Sequence, residues 1–342
     1  MSDNKWNPQV FMDLGRRFWT FCTINAAVEL DLFTKIEAYE NEAKGGTGLT
    51  VTELADRINS DGRAVGMLVT ALVSLGLLTR EGSTIRLTLE ARRYLSTMSQ
   101  DYYGHALLHQ AHIMPAWIKL AQAVRTGQRV AQNTAAESED EDQREAFLMA
   151  MFNSARFQAG EVARSLDLSG YKNLMDLGGG PGTYAAEFCL KYPNLSAVIF
   201  DLPGSKPVAG KILARLGMAD RVKFIAGDYN SDPLPEPFDV VFISQVIHQE
   251  SPEGAAALVS KAAGVLEKGG ILVIQEFFID DNLSGPAVSA LFSLNMLVNT
   301  LGGQSYTYAQ VEEIMKKAGL KEIRILKAED SLGRALMVGT KA

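Results

Sequence analysis

The sequence contains few of the residues that form disulfide frameworks or metal sites. It has two cysteines and four histidines among 342 residues. Cys22 and Cys189 form neither a C-x-x-C motif nor any spacing typical of metal ligands. Because such sparse cysteine is typical of a reducing compartment, we expect a cytoplasmic protein and no bound metal.

Long apolar runs and an excess of basic charge are also lacking. The formal net charge is −7, whereas proteins that hold nucleic acid mainly by charge carry a basic excess. No apolar stretch spans a bilayer without charges, and the first ten residues show no basic segment followed by an apolar one. We therefore expect no nucleic-acid partner and no membrane association.

The first third of the sequence shows a mostly helical pattern from about Pro8 to Tyr103. Within it, a short helix from Thr52, a break at 60–62, a helix ending at Gly76 and a hairpin over 77–88 predict a winged helix. A ligand-sensing winged-helix regulator that binds DNA is one hypothesis for this pattern. Arg63 is the only basic residue between Ser60 and Gly76, which favours a scaffold for dimerisation and substrate capping instead.

Two further helices are predicted before the pattern changes. One covers His105 to Val124 and is expected to be kinked or broken at Pro115, and the other runs from Arg144 to Leu166. From Tyr171 onward, short apolar runs alternate with helical segments, which is typical of a parallel, doubly wound sheet. The last two apolar runs are separated by a short loop and predict an antiparallel pair.

A glycine-rich turn follows the first strand of this sheet, in the sequence DLGGGPG from Asp176 to Gly182. Glycines let the backbone turn sharply and approach a ligand closely, and the following helix offers free N–H groups. The dinucleotide fingerprint G-x-G-x-x-G would place a glycine at Thr183. The third glycine instead comes one residue earlier, which weakens the hypothesis of an NAD enzyme.

The ends of the next strands carry acidic and aromatic side chains. Asp201 is suited to accept hydrogen bonds from ribose hydroxyls, and Asp228 and Tyr229 add an acceptor and an aromatic face for an adenine. No basic residue is placed to hold a pyrophosphate, so the pattern favours S-adenosylmethionine. The predicted cofactor-binding residues are Asp176, Gly178, Gly180, Asp201, Leu202, Gly227, Asp228, Tyr229, Ser244 and Gln245.

These motifs resemble those of the plant-caffeate-type small-molecule O-methyltransferases (family 2) and their bacterial relatives of secondary metabolism. The similarity covers nearly the whole chain and is strongest in DLGGGPGT, IFDLP, AGDY, VVFISQVIH and ILVIQE. It implies a Rossmann-like class I methyltransferase sheet, mostly parallel with an antiparallel last strand, and a helical, winged-helix N-terminal dimerisation domain. It also implies a homodimer and a small-molecule acceptor.

The resemblance divides the chain into three parts. Residues 1–100 would form the dimerisation and winged-helix domain, and residues 101–167 the linking helices that help to cap the acceptor pocket. Residues 168–342 would form the catalytic domain that binds S-adenosylmethionine.

The same resemblance assigns the chemistry. His248 takes the position of the family's general base, and Glu276 that of the carboxylate that orients it. Two residues depart from the family: Gln249 replaces an aspartate, and Ser305 replaces the glutamate of a second orienting carboxylate. The base therefore has at most one expected carboxylate partner, so S- or C-methylation without a base stays open, as does a variant that binds the cofactor but transfers no methyl.

The acceptor pocket is predicted from the linking helices and the segment near residue 295. His105, His109 and His112 are spaced to share one helix face, which could bind a metal or form a pocket wall. Apolar neighbours and the family's use of this helix favour the wall. The predicted substrate-binding residues are His105, His109, Met149, Phe152, Asn153, Asn295, Met296 and Asn299.

Overall fold

The computed structural model describes residues 6–43, 48–131, 141–235, 237–326 and 334–342. The chain divides into two compact units, Met1–His112 and Ile113–Ala342. The three-part division at residues 100 and 167 remains a prediction.

The first unit contains a winged helix preceded by two helices. Its elements are α1 Pro8–Glu29, α2 Leu32–Glu42, β1 Leu49–Thr50, α3 Val51–Arg57, α4 Gly62–Ser74, β2 Leu78–Glu81, β3 Thr84–Leu87 and α5 Leu89–Leu95. A capping box between Thr50 and Glu53 starts α3, and the Asp61 side chain caps α4. The strands form an antiparallel sheet in the order β1-β3-β2. The predicted helix, turn, helix and hairpin are therefore present.

One face of α1 is rich in large apolar side chains that this chain leaves uncovered. Trp6, just before the helix, and Phe11, Phe18 and Trp19 are each 55–66% exposed. Phe11 and Phe18 are seven residues apart and so project from the same side of the helix. Such a contiguous apolar surface is typical of a protein interface.

The connecting helices are α6 Gly104–Ile118, α7 Leu120–Thr126, α8 Glu141–Arg156 and α9 Ala159–Ser165. The helix is not broken at Pro115, which lies inside α6. A proline removes one N–H donor and crowds the preceding turn, and here the helix continues for three more residues. The interruption falls at Lys119, whose N–H bonds to the Ala116 carbonyl over three residues rather than four.

The second unit is built on a seven-stranded sheet in the order β6-β5-β4-β7-β8-β10-β9. The pairs among β4 to β8 are parallel, and β10 is antiparallel to both β8 and β9. The strands are β4 Asn173–Leu177, β5 Ser196–Asp201, β6 Val222–Ala226, β7 Phe238–Ser244, β8 Leu266–Glu276, β9 Leu320–Leu326 and β10 Ala335–Lys341. The helices of this unit after β4 are α10 Thr183–Lys191, α11 Lys206–Arg215, α12 Pro252–Gly264, α13 Ala287–Asn299 and α14 Tyr308–Lys317.

Both faces of this sheet are covered by apolar side chains, as parallel strands require. Met175, Val241 and Ile274 belong to the core on one face, and Leu174, Phe242 and Val273 to the core on the other. The strand order reverses between β4 and β7, where such folds bind ligands beyond the carboxyl ends of the strands. Within the described residues, no helix is long and apolar enough to cross a membrane.

Candidate active site at the carboxyl edge of the sheet

The glycine turn lies directly beyond β4. Gly178 and Gly182 have φ of +71° and +77°, which favour glycine. A Cβ at Gly178 would lie 2.7 Å from Val246 Cγ2, and one at Gly182 would lie 2.4 Å from Ile199 Cδ1. Conformation and close packing therefore both require glycine at these two positions.

Asp176 is fully buried at the start of this turn. Its Oδ2 accepts a hydrogen bond from the Ala185 N–H at 3.2 Å, whereas its buried Oδ1 has no partner among the described residues. Burial raises the pKa of Asp176 to about 7, and the nearby Asp201 adds to this rise. An unpartnered acceptor beneath a glycine turn suits a ligand that brings a donor.

Asp201, at the end of β5, holds the glycine turn in place by a hydrogen bond. Its Oδ2 accepts from the Gly180 N–H at 2.8 Å, and its Oδ1 accepts from the Leu202 N–H and the Ser205 hydroxyl, both at 2.7 Å. A carboxylate offers about four acceptor positions, so one remains for a ligand hydroxyl. Leu202 is 45% exposed and supplies an apolar surface beside the carboxylate.

The segment after β6 carries the predicted Gly227, Asp228 and Tyr229. The Gly227 N–H donates to the Asp201 carbonyl at 2.9 Å, which brings this loop beside the end of β5. Tyr229 donates from its hydroxyl to Glu250 Oε1 at 2.9 Å, and burial with the Glu250 charge raises the pKa of Tyr229. The tyrosine is therefore neutral and held by its hydroxyl.

Ser244 and Gln245 follow at the end of β7. Ser244 donates from Oγ to Gln275 Oε1 at 2.8 Å. Gln245 has a φ of +60°, and its side-chain amide donates to Glu276 Oε2 at 3.4 Å. A non-glycine residue in the left-handed region is uncommon and is often found at functional sites.

His248 and Glu276 form a buried pair, with 6% and 2% of their surfaces exposed. His248 lies in a short 3₁₀ turn, Ile247–Gln249, after β7, and Glu276 ends β8. The His248 Nδ1 lies 2.8 Å from Glu276 Oε2, and the His248 backbone N–H donates to Oε1 at 3.4 Å. An ionised carboxylate accepts, so the proton belongs on Nδ1 and Nε2 carries the free lone pair.

Two aromatic rings pack beside this histidine. The Phe292 ring on α13 meets the His248 imidazole edge to face, with centroids 4.8 Å apart. Phe277, directly after Glu276, lies 4.3 Å from the Phe292 ring. The imidazole is thus fixed by a hydrogen bond on one side and by a ring on the other.

Neither of the two positions that depart from the family supplies a second carboxylate to His248. Ser305 is buried, and its hydroxyl donates to the Ser289 carbonyl at 3.0 Å, so it anchors the loop to α13. Gln249 is exposed. Glu276 is therefore the only carboxylate with a hydrogen bond to His248 among the described residues.

The predicted acceptor residues on α13 form a small polar cluster. The Asn295 amide oxygen accepts from the Trp117 indole at 2.8 Å and from the Asn299 amide at 3.0 Å. Met296 is buried at 6% exposure. The cluster ties α13 to the region after residue 113.

The predicted acceptor residues on α8 are largely core. Phe152 is 3% exposed and packs with Leu148, Val208 and Ile212, and Met149 packs against the same cluster. Asn153 is 1% exposed. Their contribution to an acceptor pocket remains a prediction.

His105 and His109 lie on α6 in the first unit. The His105 ring meets Tyr102 edge to face at 5.0 Å. Burial, with a smaller effect of His112, lowers the pKa of His109 to about 4, so its imidazole is neutral. Within the described residues, no three histidine, cysteine, aspartate or glutamate side chains lie close enough together to hold a metal ion.

Several polar and aromatic residues at this edge of the sheet were not among those predicted from the sequence. Tyr184, Gln275 and Arg334 are buried here, with 8%, 1% and 5% exposure. Gln275 stood out as a polar residue in an apolar strand, and Arg334 directly precedes the last apolar run. Nothing in the sequence distinguished Phe292 from the other apolar residues of its helix.

Comparisons with known proteins agree with this architecture. Residues 117–321 match the O-methyltransferase domain family, and residues 12–99 match the O-methyltransferase dimerisation domain. The chain therefore belongs to the O-methyltransferase family, and the predicted enzyme class and Rossmann-like fold class are confirmed.

Three individual proteins show the extent of the similarity. A 3-hydroxy-5-methyl-1-naphthoate 3-O-methyltransferase from Streptomyces sahachiroi is 32% identical, over 98% of this chain and 96% of the relative. The tetracenomycin polyketide synthesis 8-O-methyl transferase TcmO from Streptomyces glaucescens is also 32% identical, over 93% of this chain and 92% of its own length. Human N-acetylserotonin methyltransferase, solved in complex with SAM, is 25% identical, with a TM-score of 0.84 over 99% of both chains.

Proposed function

We propose that this protein transfers the methyl group of S-adenosylmethionine to a hydroxyl of a small aromatic molecule, with His248 as the general base. The observation that carries the proposal is the buried His248–Glu276 hydrogen bond, placed at the carboxyl edge of a methyltransferase sheet. Both Streptomyces relatives are named as O-methyltransferases, which supports oxygen as the acceptor atom.

The cofactor is S-adenosylmethionine, which supplies an electrophilic methyl group from its sulfonium. The residues at the carboxyl edge fit such a nucleoside: the unpartnered Asp176 Oδ1 can accept from a ligand donor, and Asp201 retains an acceptor position for a ribose hydroxyl. Leu202 offers an apolar surface.

His248 acts on the acceptor hydroxyl. Its Nε2 would take the proton of the hydroxyl whose oxygen receives the methyl group, with S-adenosylhomocysteine as the leaving group, and Glu276 would stabilise the imidazolium that results. With one carboxylate partner, this base is suited to an acidic hydroxyl such as a phenol. Aromatic contact with Phe292 keeps the ring from turning away.

The protein is proposed to act as a homodimer. The dimerisation domain match covers residues 12–99, which include the exposed Phe18 and Trp19 of α1. A second copy would bury that face.

The decisive experiment is the His248→Ala variant, assayed with labelled S-adenosylmethionine against a panel of phenols. We expect methylation to fall by about 10²–10⁴-fold, which is the usual contribution of a positioned base. S-adenosylhomocysteine affinity should stay within about tenfold, since His248 is not among the cofactor residues. Gln249→Ala, in the same turn but exposed, is the matched control and should keep activity within about twofold.

Full activity of His248→Ala would refute the base assignment and favour a sulfur or carbon acceptor. No methylation of any acceptor by the wild type, with normal cofactor binding, would favour a variant that does not transfer methyl groups.

A further inference from the structure

The 3₁₀ turn that carries His248 is short and makes few hydrogen bonds of its own. It spans Ile247–Gln249, between β7 and α12, and its internal hydrogen bonds use the carbonyls of Val246 and Ile247. The Glu276 carboxylate fixes the imidazole, but its bond to the His248 backbone N–H is long, at 3.4 Å. The position of the base therefore also depends on what contacts the backbone of this turn.

The loop that follows α13, residues 300–306, binds two carbonyls of this region. The Gln304 N–H donates to the His248 carbonyl at 2.9 Å. The Tyr306 hydroxyl donates to the carbonyl of Glu250, directly after the turn, at 2.6 Å. Tyr306 is only 2% exposed, and a buried carbonyl is costly to leave without a donor. The two hydrogen bonds therefore hold the turn against the 300–306 loop.

Gly303 is the place where this loop comes closest to the backbone of the base. A Cβ at Gly303 would lie 2.3 Å from the His248 carbonyl oxygen and 2.5 Å from Thr300 Oγ1. Gly303 is not in the left-handed region, so the requirement for glycine comes from space alone. The Thr300 hydroxyl is held in place, because it accepts from the Gly303 N–H at 2.9 Å and donates to the Met296 carbonyl at 2.8 Å. A side chain here would push the turn away from the loop.

The 300–306 loop is anchored in α13, the helix that also contacts the imidazole ring. The Ser305 N–H donates to Ser293 Oγ at 3.2 Å, and the Ser305 hydroxyl donates to the Ser289 carbonyl at 3.0 Å. Phe292 of the same helix packs against the His248 ring. The helix and its loop thus contact the base at its ring and at its backbone, and a shift between turn and loop would move the imidazole relative to both.

We propose that Gly303 is a positioning residue for the base: without a side chain, it lets the 300–306 loop bind the His248 carbonyl and so determines where Nε2 lies. This rests on the proposed function, because it takes His248 as the base. Gly303 acts through the backbone of the turn. A base must lie within about 2.6–3.2 Å of the oxygen that it deprotonates, and a displacement of about 1 Å can cost about 10²-fold in rate.

The test is a double-mutant cycle between Gly303→Ala and His248→Ala, assayed with labelled S-adenosylmethionine and phenols. Gly303→Ala alone should lower kcat by about ten- to hundredfold and change either KM by less than about threefold. In the His248→Ala background, the same substitution should change kcat by less than about twofold, because no base remains to be misplaced. A phenol that is already ionised at the assay pH should lose much less than an ordinary phenol in Gly303→Ala, since it needs no base.

A second variant and a control separate this effect from poor folding. Tyr306→Phe removes one hydroxyl from the same contact without adding atoms; it should lower kcat by about threefold to tenfold, again only when His248 is present. Gly264→Ala, at the end of α12, is the matched control. Gly264 is not in the left-handed region, and no atom lies within 4 Å of its Cβ position, so kcat should stay within about twofold.

Nitrogen-15 NMR of labelled histidines gives a readout that does not depend on turnover. The chain has four histidines, and the signals missing from His248→Ala are those of the base. In the protein bound to S-adenosylhomocysteine, Gly303→Ala should shift the His248 imidazole signals and leave the other three histidines unchanged. Gly264→Ala should shift none of them.

Additive losses in the double variant, or the same loss for ordinary and ionised phenols, would overturn the proposal, because the substitution would then act on something other than the base. Unshifted His248 signals in a Gly303→Ala protein with reduced kcat would also overturn it. If His248→Ala is fully active, the proposed base fails, whereas shifted His248 signals in Gly303→Ala would still show that the loop determines the position of the imidazole.

Discussion

A carboxyl group surrounded by protein holds its proton more tightly than one in water, and Asp176 is such a group. Burial raises its pKa from 3.8 to about 7. The folded chain therefore binds a proton that the unfolded chain releases above pH 4. The contribution of Asp176 to the free energy of unfolding therefore falls as the pH rises from about 4 to 7.

Asp176→Asn should remove that pH dependence, because an amide does not ionise. Relative to the wild type, the cofactor-free variant should gain at least about 3 °C in Tm between pH 5 and pH 8. Scanning calorimetry at both pH values measures the difference. Asp167→Asn is the control, because hydrogen bonds from Ser169 lower the pKa of that exposed aspartate and its difference should stay constant over this range.

A Tm difference between Asp176→Asn and wild type that is the same at pH 5 and pH 8 would contradict the prediction. We also expect the variant to bind S-adenosylhomocysteine more weakly, since Oδ1 is predicted to accept from the ligand. Stability and binding would then change in opposite directions, which is common at functional sites.

At the scale of elements, the turn between β4 and α10 is constrained twice at Gly182. Its positive φ excludes most side chains, and Ile199 of β5 occupies the space where a Cβ would lie. The turn is therefore tied to the packing between strand and helix as well as to the ligand.

Gly182→Ala should cost about 2–4 kcal/mol of unfolding free energy, because backbone strain and overpacking add. Gly217→Ala is the matched control: its φ is +67°, but no atom lies within 4 Å of its Cβ position, so it should cost only about 1–2 kcal/mol. Urea denaturation of both variants measures the difference. Equal losses would show that the Ile199 contact is not limiting.

The sequence predicts a structural feature well when the feature is determined by residues that are neighbours in the chain. Short apolar runs in the sequence predicted where the parallel strands end. The residues that follow these runs or end them are the glycine turn, Asp201, His248 and Glu276, and the structure brings them to one edge of the sheet. Of the predicted kink or break at Pro115, the break was wrong, because a proline removes a single hydrogen bond, which the rest of α6 tolerates. The kink stays a prediction. The S-adenosylmethionine prediction agrees with the human relative solved with SAM.

Tyr184, Phe292 and Arg334 could not be predicted because their roles depend on long-range contacts. Tyr184 is one residue in an apolar helix, and only the packing of α10 on the sheet places its ring against Phe242 of β7. Arg334 is far in sequence from Phe277, and only the antiparallel pairing of β10 with β8 brings them together.

At the scale of the whole molecule, the exposed face of α1 predicts how copies associate. Phe11, Phe18 and Trp19 expose more than half of their surfaces, and such apolar rows are rarely left in water. The dimerisation domain match, residues 12–99, covers Phe18 and Trp19.

Phe18→Glu should weaken the proposed dimer and yield monomers, because a carboxylate would be buried without a partner at its centre. Light scattering after size-exclusion chromatography measures the mass. Leu89→Glu, at a position that is 80% exposed on α5, is the control and should leave the mass unchanged. A wild type that is monomeric at assay concentration would refute the dimer itself.

The end of β8 limits which insertions and deletions the protein can accept in evolution. Gln275 and Glu276 are consecutive, so they point to opposite faces of one strand, one toward Ser244 and the other toward His248. Inserting or deleting one residue here would turn each of these side chains to the other face of the sheet. The Ser244–Gln275 hydrogen bond and the His248–Glu276 hydrogen bond would then be lost together. Variation in acceptor choice is therefore expected to accumulate in α13, while the length of β8 is inherited unchanged.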